Sequence, residues 1–186
     1  MVQLAAMNPL FQRKKEYALG QIAGLRLTAA PSAASGTLLI WLLLSAVGYG
    51  LLDLPLGTAA WGGLIAALLH RLASLIHNLG HAWAARRAGY PMRDARFGLL
   101  LAAARYPKDE PKLPAVVHIR RALGGPVLSF LVALATAGWL LIGRPAAGVG
   151  AWLVWFFFLD NLLVYTLGAL LPLGFTDGST ILYWRQ

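Results

Sequence analysis

Two histidines stand four residues apart in the run His77-Asn78-Leu79-Gly80-His81, inside an apolar stretch of the chain. On a helix that spacing stacks both imidazoles on one face. A helix offers two nitrogens to a zinc ion in this way. A lone histidine in a membrane segment more often packs as a hydrogen-bonded side chain, so packing and ligation stay level until a third ligand is found. In enzymes built on this spacing, the residue after the first histidine is a glutamate that takes a proton from water at the metal. Here it is Asn78, whose amide accepts no proton at ordinary pH. The same five residues advertise a metal site and lack its usual base.

The acidic residues in or beside the apolar stretches are Asp53, Asp160 and Asp177. Asp177 follows a run broken by Pro172 and Gly174. Irregular backbone at membrane depth survives only where it lines an enclosed or watered cavity, so Asp177 is a candidate third ligand; the alternative is an interfacial aspartate that closes a helix. A straight helix would carry Asp177 deeper than His77, so the Pro172–Gly174 segment must fold back. Arg71 and Asp160 are formal charges deep in apolar stretches, each costing roughly 2.5–3.5 kcal/mol if unpaired. Both fall near ~18–20 Å depth on helices that run the same way. We expect them to pair; the alternative is an Arg71 bonded to backbone carbonyls or facing a watered cavity. His70 lies roughly 10 Å along the axis from His77, too far to share an ion, and reads as packing or part of a polar track. His118 reads as interfacial.

The elements that must position these residues are membrane helices. Of 186 residues 59% are hydrophobic and 12% charged, against roughly 25% charged in soluble domains. The expectation is an all-α integral membrane protein of one domain, residues 1–186, with four spans near 36–52, 58–85, 122–142 and 149–171 and a small cytoplasmic β element. Without cysteine, disulfides and thiolate ligands are excluded. The net charge of +9 is read as topology and lipid-headgroup contact, not nucleic-acid binding. Arg13, Lys14, Lys15 and Arg26 precede the first span, and nine further Lys or Arg fill the 86–121 loop, while the two short hairpins hold only Arg144. The positive-inside rule then places both termini and the long loop in the cytoplasm; a prokaryotic inner membrane is the expected setting. Met1–Leu27 shows no apolar run of a secretory signal. Leu19–Thr28, Met92–Phe97 and Leu99–Ala104 read as short strands of a small sheet.

In this order and spacing, the motifs resemble the site-2 protease family of intramembrane zinc metalloproteases, over nearly the whole chain. Leu19–Leu25 through Pro31-Ser32 is similar to the family's N-terminal strand and first span. His77–His81 with Ala82–Gly89 resembles its HExxH helix, Ala122–Pro126 its "AGP" start of the third span, and Leu171-Pro172 with Asp177-Gly178 its "LDG" region. The resemblance implies that His77, His81 and Asp177 ligate zinc, and that the strands after the histidine helix offer an edge to an unwound transmembrane or membrane-proximal peptide segment.

The departures are Asn78 for the general base, Thr176 for a leucine, Ser179 for a glycine, and Ala169 and Ser129 where asparagines are usual. Losing a general base costs about 10²–10⁴-fold. The expectation is therefore a metalloprotease scaffold with weak or lost hydrolysis. The alternative is a pseudoprotease that holds a transmembrane partner without cutting it.

Overall fold

The computed structural model describes residues 15–143 and 147–185; Arg13, Lys14 and Arg144 of the charge count lie outside them. The described elements are strands β1 (Tyr17–Ile22) and β2 (Leu25–Ala29), helices α1 (Ser32–Gly50) and α2 (Leu56–Arg87), strands β3 (Asp94–Phe97) and β4 (Ala102–Arg105), helix α3 (Ala115–Gly143), helix α4 (Val149–Gly168) and helix α5 (Asp177–Trp184). Among the described residues, α1 to α4 are long and apolar enough to cross a membrane. Each needs ~20 apolar residues to span, and their length and composition support an integral membrane protein. The third helix begins at Ala115, seven residues before the expected Ala122, because the helix continues through His118, Arg120 and Arg121 ahead of the uninterrupted apolar run.

Helix α2 is the centre of the bundle. Its buried positions are nearly all small or polar, among them Ala59, Gly62, Ala66, Ala73, Ser74 and Gly80. Lipid tails supply no hydrophobic drive between helices, so close packing of small residues carries the association. A Cβ on Gly80 would collide with the backbone oxygen of Gly124 in α3, and one on Gly124 with that of Gly80. Leucines of α1 such as Leu38, Leu42 and Leu43 remain exposed, as expected of sides that face lipid.

The sheet order is β1-β2-β3-β4, antiparallel except for the parallel β2–β3 pair. Leu19–Thr28, expected as one strand, is two. The chain turns at Ala23 and Gly24, both at positive φ, a geometry that closes tight hairpins. Leu25, Leu27 and Ala29 of β2 pack with Ala95 and Phe97 of β3 against Ala82 and Ala85 of α2. The sheet thereby sits on the end of α2 that carries His77 and His81.

The β3–β4 hairpin reaches much further in. Its tip, Gly98–Leu101, meets Arg71 near the middle of α2, and a Cβ on Gly36 of α1 would overlap the Leu99 carbonyl. Non-helical backbone at that depth needs partners from the protein. Arg71 supplies them, donating to the carbonyls of Leu99 at 2.6 Å, Leu100 at 2.8 Å, Ala33 at 3.1 Å and Gly98 at 3.4 Å, and to Thr37 Oγ1 at 2.9 Å. The expected Arg71–Asp160 pair is thus not formed. Asp160 instead takes His70 Nδ1, 3.1 Å from both carboxylate oxygens.

Helix α4 is α-helical through Leu159 and then widens into a π-helix over Asp160–Gly168. Such turns are rare and often accompany functional sites. This one carries Asp160, Asn161, Tyr165 and Thr166 into buried positions.

Candidate metal centre

His77 and His81 lie on consecutive turns of α2, and Asp177 is the first residue of α5. Their donor atoms fall within 4.8 Å of one another. His77 Nε2 is 3.0 Å from His81 Nε2 and 3.2 Å from Asp177 Oδ2, and His81 Nε2 is 3.4 Å from Asp177 Oδ1. Both histidines are buried.

The fold-back that brings Asp177 here is built by residues that depart from the family pattern. Thr176 Oγ1 donates to the Leu171 carbonyl and lies 3.0 Å from Ser179 Oγ; it also accepts the Leu173 N–H at 3.2 Å. Ser179 Oγ accepts the Gly174 N–H at 2.7 Å, with Gly174 at φ 87°. A leucine and a glycine at these two positions could make none of these bonds. Burial alone would raise the Asp177 carboxyl. The two imidazoles beside it, His77 and His81, outweigh it and hold that group below its usual value.

The remaining ring nitrogens are committed elsewhere. His81 Nδ1 donates to the Arg121 carbonyl at 2.8 Å, and His77 Nδ1 is 3.1 Å from Ser129 Oγ. Partners of this kind fix the tautomer and ring orientation of metal-ligating histidines. In the sequence Ser129 reads only as a lost polar group; the α2–α3 crossing is what places it opposite His77. Arg121 is itself buried, bonded to Glu110 and to the Tyr90 carbonyl and stacked over Tyr106. Burial pushes the Tyr106 hydroxyl up to about 12.

The donor set fits zinc. Two imidazole nitrogens and a carboxylate converge, and α3 leaves room for what they would hold. A Cβ on Gly125 would come within 2.6 Å of His77 Nε2 and closer still to His81 Nε2. A cavity of ≈ 670 Å³ opens beside the triad, lined by β4, by Tyr106 and Tyr165 and by Asn78.

Asn78 is 1% exposed. Its Nδ2 donates to the Ser74 carbonyl at 2.9 Å and to the Ala102 carbonyl at 3.4 Å, while its Oδ1 is buried and finds no partner among the described residues. His70 does not join the metal cluster; it bridges Asp160, the Leu100 carbonyl at 3.1 Å and the Tyr165 hydroxyl at 3.3 Å. His118 lines the cavity and stacks on Trp184 of α5 at 4.0 Å between ring centroids.

Against this geometry stand the comparisons. The fold is similar to that of the site-2 protease from Methanocaldococcus jannaschii, with TM-score 0.61 and 17% identity over 90% of this chain and 70% of that one. No protein-family model matches the sequence, and no curated protein does. The chain has a site-2 protease-like membrane fold.

Proposed function

We propose that this chain is a site-2 protease-like membrane metalloprotein that holds zinc through His77, His81 and Asp177 and hydrolyses peptides weakly or not at all. The chemistry that a bound zinc supplies is polarisation of a carbonyl and acidification of a water. Ser129 and the Arg121 carbonyl keep the two imidazoles turned toward the ion. Asp177 adds a negative charge, and Gly125 keeps the space open. The single observation that carries the reading of weak hydrolysis is Asn78, buried in the cavity wall beside this intact donor set. It sits where a base would receive a proton and cannot receive one. The second reading, a pseudoprotease that retains a transmembrane segment without cutting it, is favoured by the same residue. The edge of β4 along the cavity is a surface on which an extended segment can add by backbone hydrogen bonds.

The test is metal content of the purified protein, measured together with cleavage of an apolar transmembrane peptide by the wild type and by Asn78→Glu. We expect about one zinc per chain, little or no cleavage by the wild type, and a gain of up to about 10²–10⁴-fold in the variant. Efficient cleavage by the wild type that Asn78→Glu does not change would overturn the reading of the base. Protein that takes up no zinc would overturn the metal.

A further inference from the structure

The metal ligands are not the only polar residues on α2. Ser74 and Asn78, one turn apart, both reach the same residue of the β3–β4 hairpin. The Ala102 N–H donates to Ser74 Oγ at 2.9 Å, and the Ala102 carbonyl accepts from Asn78 Nδ2 at 3.4 Å. β4 is an edge strand, and it is the edge that borders the cavity. In an antiparallel pair, successive residues direct their N–H and C=O to opposite sides. The Leu101 carbonyl accepts the Gly98 N–H, inside the hairpin. Ala102 and Ala104 therefore turn outward, toward the cavity. Of these two outward residues, α2 has already taken both backbone groups of Ala102.

We propose that Ser74 and Asn78 are positioning residues that cap the β4 edge at Ala102, so that a peptide segment entering the cavity pairs with β4 only from Ala104 outward. This rests on the reading that the cavity takes such a segment. It also gives the amide at position 78 a task that a glutamate cannot perform. An ionised carboxylate has no hydrogen to donate and would set an oxygen against the Ala102 carbonyl. With Ala102 capped, a bound segment is held at the end of β4 nearer Arg105, away from the hairpin tip.

The experiment is amide hydrogen exchange resolved to single residues, on the full chain in nanodiscs. It is run alone and with a synthetic 20-residue Leu/Ala peptide carrying a central Gly-Ser. In the wild type alone, the Ala102 amide is protected and the Ala104 amide exchanges freely; the peptide slows Ala104 at least about 10-fold and leaves Ala102 unchanged. In Ser74→Ala, Ala102 exchanges at least about 10-fold faster without peptide and is protected again when peptide is added. Asn78→Leu, which removes the carbonyl's donor and leaves Ser74 in place, keeps the Ala102 amide as protected as in the wild type, with and without peptide. Equal Ala102 exchange in wild type and Ser74→Ala would overturn the cap. So would a wild-type footprint that already includes Ala102. A peptide that protects no amide in any variant, with Ala102 still released by Ser74→Ala, overturns the segment-binding reading and leaves the cap standing.

Discussion

If the proposed zinc site holds, Gly125→Ala should weaken zinc binding and leave the fold. Real Cβ atoms essentially never come within 3.0 Å of another atom, and the new methyl would stand 2.6 Å from His77 Nε2. That imidazole must retreat by about 0.4 Å and the His81 ring by more, against a tolerance of about 0.2 Å in metal–ligand distance. Neither ring can swing aside cheaply, because each Nδ1 is tied, to Ser129 and to the Arg121 carbonyl. Two displaced ligands should lower zinc affinity by at least about 100-fold, roughly 2.8 kcal/mol. The helix itself loses nothing, since alanine exceeds glycine by about 1 kcal/mol in helix propensity. Gly138, on the same helix, has nothing within 4 Å of its Cβ position, so Gly138→Ala is the matched control. The assay is zinc competition against a chelator of known affinity, with thermal unfolding in the same detergent. Unchanged zinc affinity in a folded Gly125→Ala protein would refute the location of the site.

Other outcomes follow from the buried charges. Arg71→Met should destabilise by roughly 1.5–6 kcal/mol in thermal unfolding: three short charge-assisted bonds worth about 1.5–3 kcal/mol each are lost, while burying the guanidinium no longer costs its roughly 3 kcal/mol. His70→Leu should cost about 3–5 kcal/mol by stranding Asp160, and adding Asp160→Leu should recover much of it, where Arg71→Met combined with Asp160→Leu should not. At the sheet, the hydrogen bond from Arg105 holds the Glu16 carboxyl below its unfolded value of 4.5. Its contribution is therefore complete above pH 4.5 and fades as pH falls through the lower folded value. Amide protection in β1 and β4, measured against the intrinsic exchange rate at each pH, should fall over that acid range in the wild type and show less pH dependence in Arg105→Met.

Four spans were legible because ~20-residue apolar runs have few other uses, and the histidine pair because its spacing matches the helix period. Asp177 was legible as a carboxylate on broken helix, together with the need for a fold-back. What ties that fold-back was not, because Thr176 and Ser179 had been weighed only against a family pattern. The partner of Asp160 failed for a geometric reason. Asp160 does meet this level of α2, through His70, but His70 and Arg71 are adjacent and point about 100° apart around α2. Depth alone cannot choose between them, and rotation of the helix put His70 toward α4. The hairpin's reach to mid-helix was equally hidden, since nothing in Gly98–Leu101 marks a tip that meets α2 until the carbonyls that Arg71 needs are counted.

The π-helix at Asp160–Gly168 makes the residue count of this stretch part of the site. Excising one residue there lets the segment relax to ordinary α geometry. Everything downstream then turns about the helix axis and shifts along it. The clasp of Thr176 and Ser179 would survive intact but deliver Asp177 to a different side of the bundle. A length change in this interval is thus equivalent to removing Asp177 from the triad, although none of the three residues is touched.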